Sequence, residues 1–467
     1  MRNISMCMSQ FFPIGRFHLK LAWTHIYEIC YLDGRYIDDR KALIMTPDQI
    51  IALVIFLGVM VLIVTEKVHR TSAALAGAVL LFLTGIISFN DGIESIDFNT
   101  IGVLTGMMLF VAVVKQSGLF EYLAYKSAKM AKGDPWRIMV AFVLITAVCS
   151  AILDNVTTVL LIAPMTLTIC KILDVNPVPY FMTQIFASNI GGTATLIGDP
   201  PNIMIGSSAG LTFFDFVLYD GPAVVLSLIA CIVIFKFIYG RKMTATAEAE
   251  AIVMDLDEKS VIRDEGLFKK SIVMILVVTV AFMLHGQLGL ESSVIALTAA
   301  AIMLIIGGQD IEEMILGVEW TTIGFFAGLF IVVGGLEHTG LITMLADWIM
   351  NVTGGNMVLT MIVVLWVSAI VSAVLDNIPF TATMIPVLLT MEASGMDVMP
   401  LWWALSLGAC LGGNGTIIGA SANVVLSGIS NREGYPMTFI GFLKVGMPLM
   451  IMTVAISTVY LLIRFPM

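Results

Sequence analysis

The sequence predicts an all-α polytopic membrane protein, built as an inverted-topology repeat with two re-entrant hairpins and two broken helices. The first observation is composition: 58% of the 467 residues are hydrophobic and only 12% are charged, with a mean hydropathy of +0.97. Soluble proteins carry about 25% charged residues. The second observation is an internal duplication. The third is that polar motifs interrupt four long apolar segments at matching places in the two copies.

Twelve apolar segments supply the membrane-crossing elements. A helix needs about 20 apolar residues to cross the hydrocarbon, and two segments are too long for one crossing. We expect these two, 136–172 and 357–391, to fold back as hairpins. Segments 180–208 and 400–429 should be broken helices, because glycine-rich polar runs interrupt them. The remaining segments are 48–65, 71–87, 98–114, 217–239, 270–288, 291–307, 320–336 and 440–463.

A duplication divides the chain. Asp154 and Asn155 recur as Asp376 and Asn377 after 222 residues, and the glycine-rich break recurs after 221. The extension before Met45 mixes basic and aromatic residues without an apolar run, so we interpret it as disordered or not native. The predicted parts are an extension at 1–44, a first repeat at 45–239, a linker at 240–269 and a second repeat at 270–467.

Each repeat has five segments that should cross the membrane, and its hairpin adds an even number of crossings. The total number of crossings in each repeat is therefore odd. The second repeat therefore enters from the opposite side, as in many secondary transporters. Under this topology the cytoplasmic loops after Met45 hold sixteen Lys and Arg residues, against one, Arg464, on the other side. This bias follows the positive-inside rule. We predict an integral protein of a prokaryotic plasma membrane, with the linker 240–269 in the cytoplasm.

Several classes of function lack sequence support. The six cysteines show no CxxC spacing, and no HExxH, GxSxG or P-loop pattern occurs in a credible context. The net charge of −10 is concentrated in a few loops and says little about partners. We therefore predict no cofactor and no nucleic-acid partner. The expected partners are the lipid bilayer and a small ion substrate.

Two polar tips interrupt the predicted hairpins, at Asp154-Asn155 and at Asp376-Asn377. Asp and Asn are preferred at helix N-caps, so the second arm of each hairpin should begin at the tip. Such a tip presents carboxylate and amide oxygens together with free backbone N–H groups. The alternative is a capped turn that holds no ligand. Two copies in register, each followed by a second polar break, favour the binding site.

The second pair of motifs is the glycine-rich breaks at 189–202 and 412–423. Unwound backbone there can offer carbonyl oxygens to a cation, and the half-helix that follows favours an anion. The alternative is that the glycines only allow close helix packing. Their Asn, Thr and Asp companions favour a site. The copies differ, because Asp199 of the first break becomes Ala420 in the second.

Charged residues inside a membrane segment are functional hypotheses by default. The motifs place three carboxyl groups inside membrane segments, on Asp154, Asp199 and Asp376. Desolvation should disfavour the charged form of these groups, which suits proton exchange or sodium binding. A Na⁺ site is predicted at Asp154, Asn155, Asp376 and Asn377. The full set of predicted ion- and substrate-binding residues is Asp154, Asn155, Thr157, Asn189, Gly192, Thr193, Thr195, Asp199, Asn202, Asp376, Asn377, Thr381, Gly413, Asn414, Thr416, Ser421 and Asn423. No catalytic residue is predicted.

These motif pairs resemble the ion transporter superfamily, which includes arsenite permeases, NhaD-type antiporters and divalent anion/sodium symporters with a citrate-transporter-like domain. Segments 153–165, 188–205 and 375–425 are most similar to the branch of the melanosomal P protein and its prokaryotic relatives. The likeness implies a homodimer whose transport part moves like an elevator against a scaffold. Symporter tips read Ser-Asn-Thr, whereas the tips here begin Asp-Asn, so dicarboxylate specificity does not carry over.

The leading functional hypothesis is a secondary active transporter, not an enzyme. It would move a small anion (arsenite, antimonite or another inorganic or carboxylate anion) coupled to H⁺ or Na⁺, because an anion needs the three carboxylates neutralised first. A Na⁺/H⁺ antiporter using the same carboxylates is the alternative. An anion channel and an intramembrane aspartyl enzyme are further alternatives. The sequence does not separate them.

Overall fold

The structure is a computed structural model that describes residues 45–65, 67–240 and 243–466. The prediction for residues 1–44 falls outside the described residues. Residues 51–467 belong to one compact unit; of the preceding unit, residues 1–50, only 45–50 are described, and 47–50 begin the first helix.

The described chain is helical almost throughout, so the predicted all-α class is confirmed. Two short 3₁₀ turns, Gly413–Gly415 and Ile417–Gly419, interrupt the second half. The helices are α1 Pro47–Thr65, α2 Arg70–Thr84, α3 Phe89–Glu94, α4 Phe98–Lys115, α5 Leu119–Met130, α6 Pro135–Ile152, α7 Asn155–Ile172, α8 Val178–Gly192, α9 Pro200–Ala209, α10 Phe213–Tyr219, α11 Gly221–Ile238, α12 Ala247–Asp255, α13 Glu265–Leu288, α14 Ser292–Gly307, α15 Ile311–Leu316, α16 Trp320–His338, α17 Leu341–Thr353, α18 Met357–Ser372, α19 Asn377–Ala393, α20 Met399–Gly412, α21 Ser421–Arg432 and α22 Phe439–Arg464.

Eight of the described helices are long and apolar enough to cross a membrane: α1, α4, α6, α7, α11, α13, α16 and α22. Shorter apolar helices such as α2 and α14 complete the bundle. Large apolar side chains on the outer helices are exposed, among them Val54 (63%), Phe237 (80%) and Leu276 (63%). Exposed apolar faces of this size suit contact with lipid.

The element order repeats. Two helical hairpins are formed by α6–α7 and α18–α19, whose arms pack against each other, and two broken helices by α8–α9 and α20–α21. The helices correspond in order as α1 with α13, α2 with α14, α3 with α15, α4 with α16, α5 with α17, α6 with α18, α7 with α19, α8 with α20, α9 with α21 and α11 with α22.

The two repeats interleave. Helix α4 of the first repeat packs against α14 of the second, and α16 packs against α2. A Cβ at Gly106 of α4 would lie 2.6 Å from the carbonyl carbon of Ala296, and one at Gly328 of α16 would lie 2.8 Å from that of Ala74. Both pairs are related by the 222-residue shift. Glycine therefore lets each crossing close to backbone contact, as is common between membrane helices.

The described part of the linker, residues 240 and 243–269, packs against the first repeat. It contains α12, whose Ala249 and Val253 are buried beside α5 and α7. Lys129 of α5 also donates from Nζ to Glu258 Oε2 at 2.7 Å. Seven acidic residues give this segment its charge, whereas its few apolar residues at helical spacing decide how it packs.

Candidate functional site

Asp154 caps α7 at the tip of the first hairpin. One of its carboxylate oxygens accepts from Thr157 N at 2.7 Å, and the other accepts from the Thr157 hydroxyl. Next to it, Asn155 Nδ2 donates to Asn189 Oδ1 of α8 at 3.4 Å. Asp154 and Asn155 are both buried. The tip thus holds a buried carboxylate at the positive end of an 18-residue helix.

Asp376 begins α19 at the second tip, but its surroundings differ. Its Oδ1 accepts from Ile378 N at 3.3 Å. Its Oδ2 accepts from Ser421 Oγ at 2.7 Å and from Arg70 Nη1 at 3.1 Å. The second carboxylate is therefore paired with a cation that the chain itself supplies, from the start of α2.

The first broken helix unwinds between Gly192 and Pro200. Asn202 spans the break, because its Nδ2 donates to the carbonyl oxygens of Thr193 and Thr195 at 3.1 and 3.0 Å. Glycine is required here by close approach: a Cβ at Gly192 would lie 2.4 Å from the carbonyl oxygen of Gly198. We call Asn202 the first clamp residue.

The second broken helix is held in the same way. Asn423, the second clamp residue, donates from Nδ2 to the carbonyl oxygens of Gly413 and Thr416 at 2.7 and 2.8 Å. The Thr416 hydroxyl also donates to the carbonyl of Ala373 in the neighbouring hairpin. Each break is therefore tied both across itself and to its own hairpin.

Hydrogen bonds join the two repeats at the breaks. Asn377 Nδ2 donates to both carboxylate oxygens of Asp199, at 3.2 and 3.3 Å. Asn189 Nδ2 donates to Asn414 Oδ1 at 3.1 Å and to Asn423 Oδ1 at 2.9 Å. Residues 178 to 234 positions apart thus form one polar centre.

A cavity of about 20 Å³ lies between the two tips. One water molecule needs roughly 10–15 Å³ of such volume, so the cavity suits a single water or a bare ion. Carboxyl groups of Asp154, Asp199 and Glu319 line it, together with the amides of Asn155 and Asn377. Carboxylate and amide oxygens are the ligands that hard cations take.

Three buried polar atoms of the predicted site have no hydrogen-bond partner among the described residues: Asn155 Oδ1, Thr381 Oγ1 and Asn414 Nδ2. Buried polar groups are normally paired. Of these, Asn155 lies on the wall of the 20 Å³ cavity. One of the predicted Na⁺ ligands, Asn155, thus has an oxygen available to a cation. Another, Asp376, is ion-paired with Arg70 and does not line this cavity.

The predicted residues fall into three groups. Those that line the small cavity are Asp154, Asn155, Asp199, Asn377 and Ser421. Those that build or tie the breaks are Asn189, Gly192, Thr193, Thr195, Asn202, Gly413, Asn414, Thr416 and Asn423. Three stand apart: Thr157 lines a different cavity, Thr381 is buried in α19, and Asp376 lines an outer cavity of about 290 Å³ with Arg70.

Sequence reasoning missed Arg70 and Glu319. Arg70 looked like one of many basic loop residues, and it contacts Asp376, Ser421 and Thr322 at once. Glu319 matches Asp97 of the first repeat, which caps α4 through Asn99 N and Thr100 N. The longer side chain instead accepts from the Thr322 hydroxyl at 3.0 Å and lines the small cavity. An acidic residue occurs at the start of the same apolar segment in both repeats, and this recurrence could have identified Glu319 from the sequence.

Residues 60–408 match the citrate transporter family CitMHS. An uncharacterized transporter of Mycobacterium tuberculosis is 45% identical over 425 residues, covering 89% of this chain and 99% of the relative. The human P protein is 33% identical over 498 residues, covering 88% of this chain and 59% of the relative. The likeness to the P protein branch is confirmed.

Among solved structures, the YdaH transporter of Alcanivorax borkumensis has a TM-score of 0.57 at 14% identity, covering 90% of this chain and 98% of the other. At this identity the comparison shows the fold alone. Fold, duplicated motifs and relatives of nearly full length agree. The chain is a membrane transporter of the citrate transporter (CitMHS) family.

Proposed function

We propose that this protein is a secondary active transporter that moves a small anion coupled to H⁺ or Na⁺. The observation that carries the proposal is the 20 Å³ cavity between the hairpin tips, lined by the carboxyl groups of Asp154, Asp199 and Glu319. Its size suits one bare ion rather than a polyatomic anion. It is therefore the coupling-ion site, occupied by Na⁺ or emptied by protonation of its carboxylates.

The anion binds in the larger cavity of about 290 Å³ next to Arg70. Its class is arsenite, antimonite or another inorganic or carboxylate anion, and the family name favours testing citrate first. Arg70 lines both cavities and is ion-paired with Asp376, so the carboxyl groups around it and an incoming anion compete for one guanidinium. A cation in the small cavity offsets the negative charge there and leaves the guanidinium to the anion. Coupling follows from this competition, since cation and anion stabilise each other's binding.

A Na⁺/H⁺ antiporter is the second candidate. The observation that favours it is the charge of the small cavity, where three carboxyl groups face the single guanidinium of Arg70. Such a site prefers cations whether or not an anion follows. We also propose that the protein is a homodimer and that its transport part moves like an elevator, because the family resemblance implies both.

The test uses purified protein in liposomes that contain a pH-sensitive dye. We expect labelled citrate or arsenite to accumulate against its gradient only when Na⁺ or H⁺ is supplied as a gradient. Asp199→Asn should abolish accumulation. Ser227→Ala in α11, which removes a buried hydroxyl that has no hydrogen-bond partner among the described residues, should not.

Other outcomes overturn the anion proposal. Proton flux driven by Na⁺ alone, with no anion accumulated, would make the protein an antiporter. Flux of anion that only runs downhill and survives Asp154→Asn would make it a channel.

A further inference from the structure

A second polar cluster adjoins the first broken helix, and its residues Asp220, Ser406 and Asn202 do not line the cavity between the tips. Asp220 immediately precedes α11 and is fully buried. Its Oδ2 lies 2.6 Å from Ser406 Oγ of α20, and that hydroxyl lies 2.7 Å from Asn202 Oδ1. One hydroxyl thus joins a buried carboxyl to the first clamp residue.

The orientation of the Asn202 amide is fixed by its other hydrogen bonds. Its Nδ2 donates to the carbonyl oxygens of Thr193 and Thr195. A flipped amide would set its oxygen against these two carbonyl oxygens, so Oδ1 must face Ser406. The second clamp residue, Asn423, is oriented in the same way.

The number of protons then decides the state of Asp220. A serine hydroxyl has one proton to donate, and an amide oxygen only accepts. If Ser406 donates to Asn202, its oxygen must accept from Asp220, which only a carboxylic acid can supply. Asp220 Oδ1 also has no partner among the described residues. A buried charge without partners is strongly disfavoured, so the proton count and the unpaired oxygen both favour the neutral acid.

Repeat symmetry explains why this serine is needed. The oxygen of the second clamp residue, Asn423, receives a hydrogen bond from Asn189 Nδ2 at 2.9 Å. The residue 221 positions after Asn189 is Cys410, whose Sγ lies 3.5 Å from Asn202 Oδ1. A thiol is a weak donor. The first clamp residue therefore depends on Ser406, and through it on the proton of Asp220.

The titratable groups that face Asp220 come from two packed helices, with Cys410 on α20 and Tyr460 on α22. The Arg464 guanidinium lies over the ring of Tyr219, 4.7 Å from its centre, and makes no ion pair with Asp220. Within residues 45–65, 67–240 and 243–466, no Lys, Arg or His is ion-paired with Asp220. No cation therefore stabilises a carboxylate there.

We propose that Asp220 is a proton-binding site coupled to the first broken helix. With the proton bound, Ser406 donates to Asn202, which holds the unwound backbone beside Asp199. When the proton leaves, the serine hydroxyl turns to the carboxylate, and Asn202 Oδ1 is left facing a lone pair. The clamp weakens, and the half-site that carries Asp199 loosens. That this proton affects transport rests on the proposed function, whereas the protonation of Asp220 does not.

The first test is infrared spectroscopy of the purified full-length chain at about pH 7, where an unperturbed Asp is ionised. A protonated carboxyl gives its own C=O band, which shifts in heavy water. The difference spectrum between wild type and Asp220→Asn should contain this band. Asp215→Asn, a substitution of another carboxyl close by in sequence, should give no such difference. A spectrum of Asp220→Asn that keeps the whole band would overturn the proposal.

Ser406→Ala keeps the test decisive if Asp220→Asn does not fold. Without the serine oxygen the acid loses its acceptor, so its band should move to higher frequency, whereas Ser227→Ala should leave the band in place. An unmoved band in a folded Ser406→Ala protein would overturn the proposal.

The second test is hydrogen exchange of peptides that cover residues 193–203. Protection in wild type, corrected for intrinsic exchange, should fall as the acid band disappears with rising pH, and protection in Asp220→Asn should not. Constant protection in wild type would overturn the coupling. Neither test uses a substrate, so a failure of transport in liposomes would overturn the proposed function alone.

Discussion

Arg70 Nη1 donates to Asp376 Oδ2 at 3.1 Å and so joins the start of α2 to a hairpin tip 306 residues later. The same guanidinium donates from Nη2 to Thr322 Oγ1 at 3.2 Å and lies over the ring of Phe325, 5.2 Å from its centre. Asp154, at the other tip, has no ion pair with a basic residue in the described chain. The two tips are therefore duplicated in sequence and unequal in charge.

Replacing Arg70 should destabilise the protein by leaving the Asp376 carboxylate unpaired. Removing one partner of a fully buried ion pair costs about 3–5 kcal/mol. The two side chains here keep 27% and 12% exposure, so we expect Arg70→Gln to lower the free energy of unfolding by about 1–3 kcal/mol after allowing for solvent screening. Thermal unfolding in detergent measures the change.

Two variants control this prediction. Asp376→Asn in the Arg70→Gln background should recover most of the loss, because it removes the unpaired charge. Lys171→Gln, which breaks an exposed pair with Glu433, should change stability by under about 1 kcal/mol. Equal effects of Arg70→Gln and Lys171→Gln would contradict the prediction.

Sodium should stabilise the folded protein through the small cavity. A ligand at about 100 times its Kd adds about 2.7 kcal/mol to the free energy of unfolding. We expect NaCl, compared with choline chloride at equal ionic strength, to raise the Tm of wild type, and Asp199→Asn to remove this shift. Asp310→Asn, a cap of the short helix α15, should keep it. A sodium shift that persists in Asp199→Asn would place the cation elsewhere.

The glycine of the first break should tolerate no side chain. A Cβ at Gly192 would meet the carbonyl oxygen of Gly198 at 2.4 Å, so Gly192→Ala must open the turn beside Asp199. We expect loss of folded protein or of transport. Gly58→Ala in α1 is the matched control, since nothing lies within 4 Å of its Cβ. Alanine there should stabilise the helix by about 0.5–1 kcal/mol. Monodispersity and Tm measure both, and a Gly192→Ala protein as stable as wild type would refute the close contact.

The linker should loosen at low pH. The Lys129 ammonium donates to Glu258 and lowers the pKa of that carboxyl below its ordinary value of 4.5. A lowered pKa means that the ion pair is complete above about pH 5 and is lost as pH falls through the lowered value. Limited proteolysis should therefore cut the linker faster at about pH 3.5 than at pH 7. Lys129→Gln should raise the rate at pH 7, and an unchanged rate would contradict the prediction.

The sequence by itself determined the all-helical class, the duplication and its inverted sense, the two tips and the two breaks. These features are encoded locally, because apolar length, helix caps and glycine runs act within about 20 residues. They recur after 222 residues at the tips and after 221 at the breaks. Even the divergence of Asp199 to Ala420 could be read there. The resemblance then identified the family.

Only the tertiary structure decided which group each buried carboxyl contacts. Asp376 is paired with Arg70, Asp199 is held by Asn377, and Asp220 is tied through Ser406 to the first clamp. Each partner lies 178 to 306 residues away, on another helix. Local patterns predict which residues are polar, but the crossing of two interleaved repeats determines which polar groups meet, and a buried charge takes its state from the groups it meets.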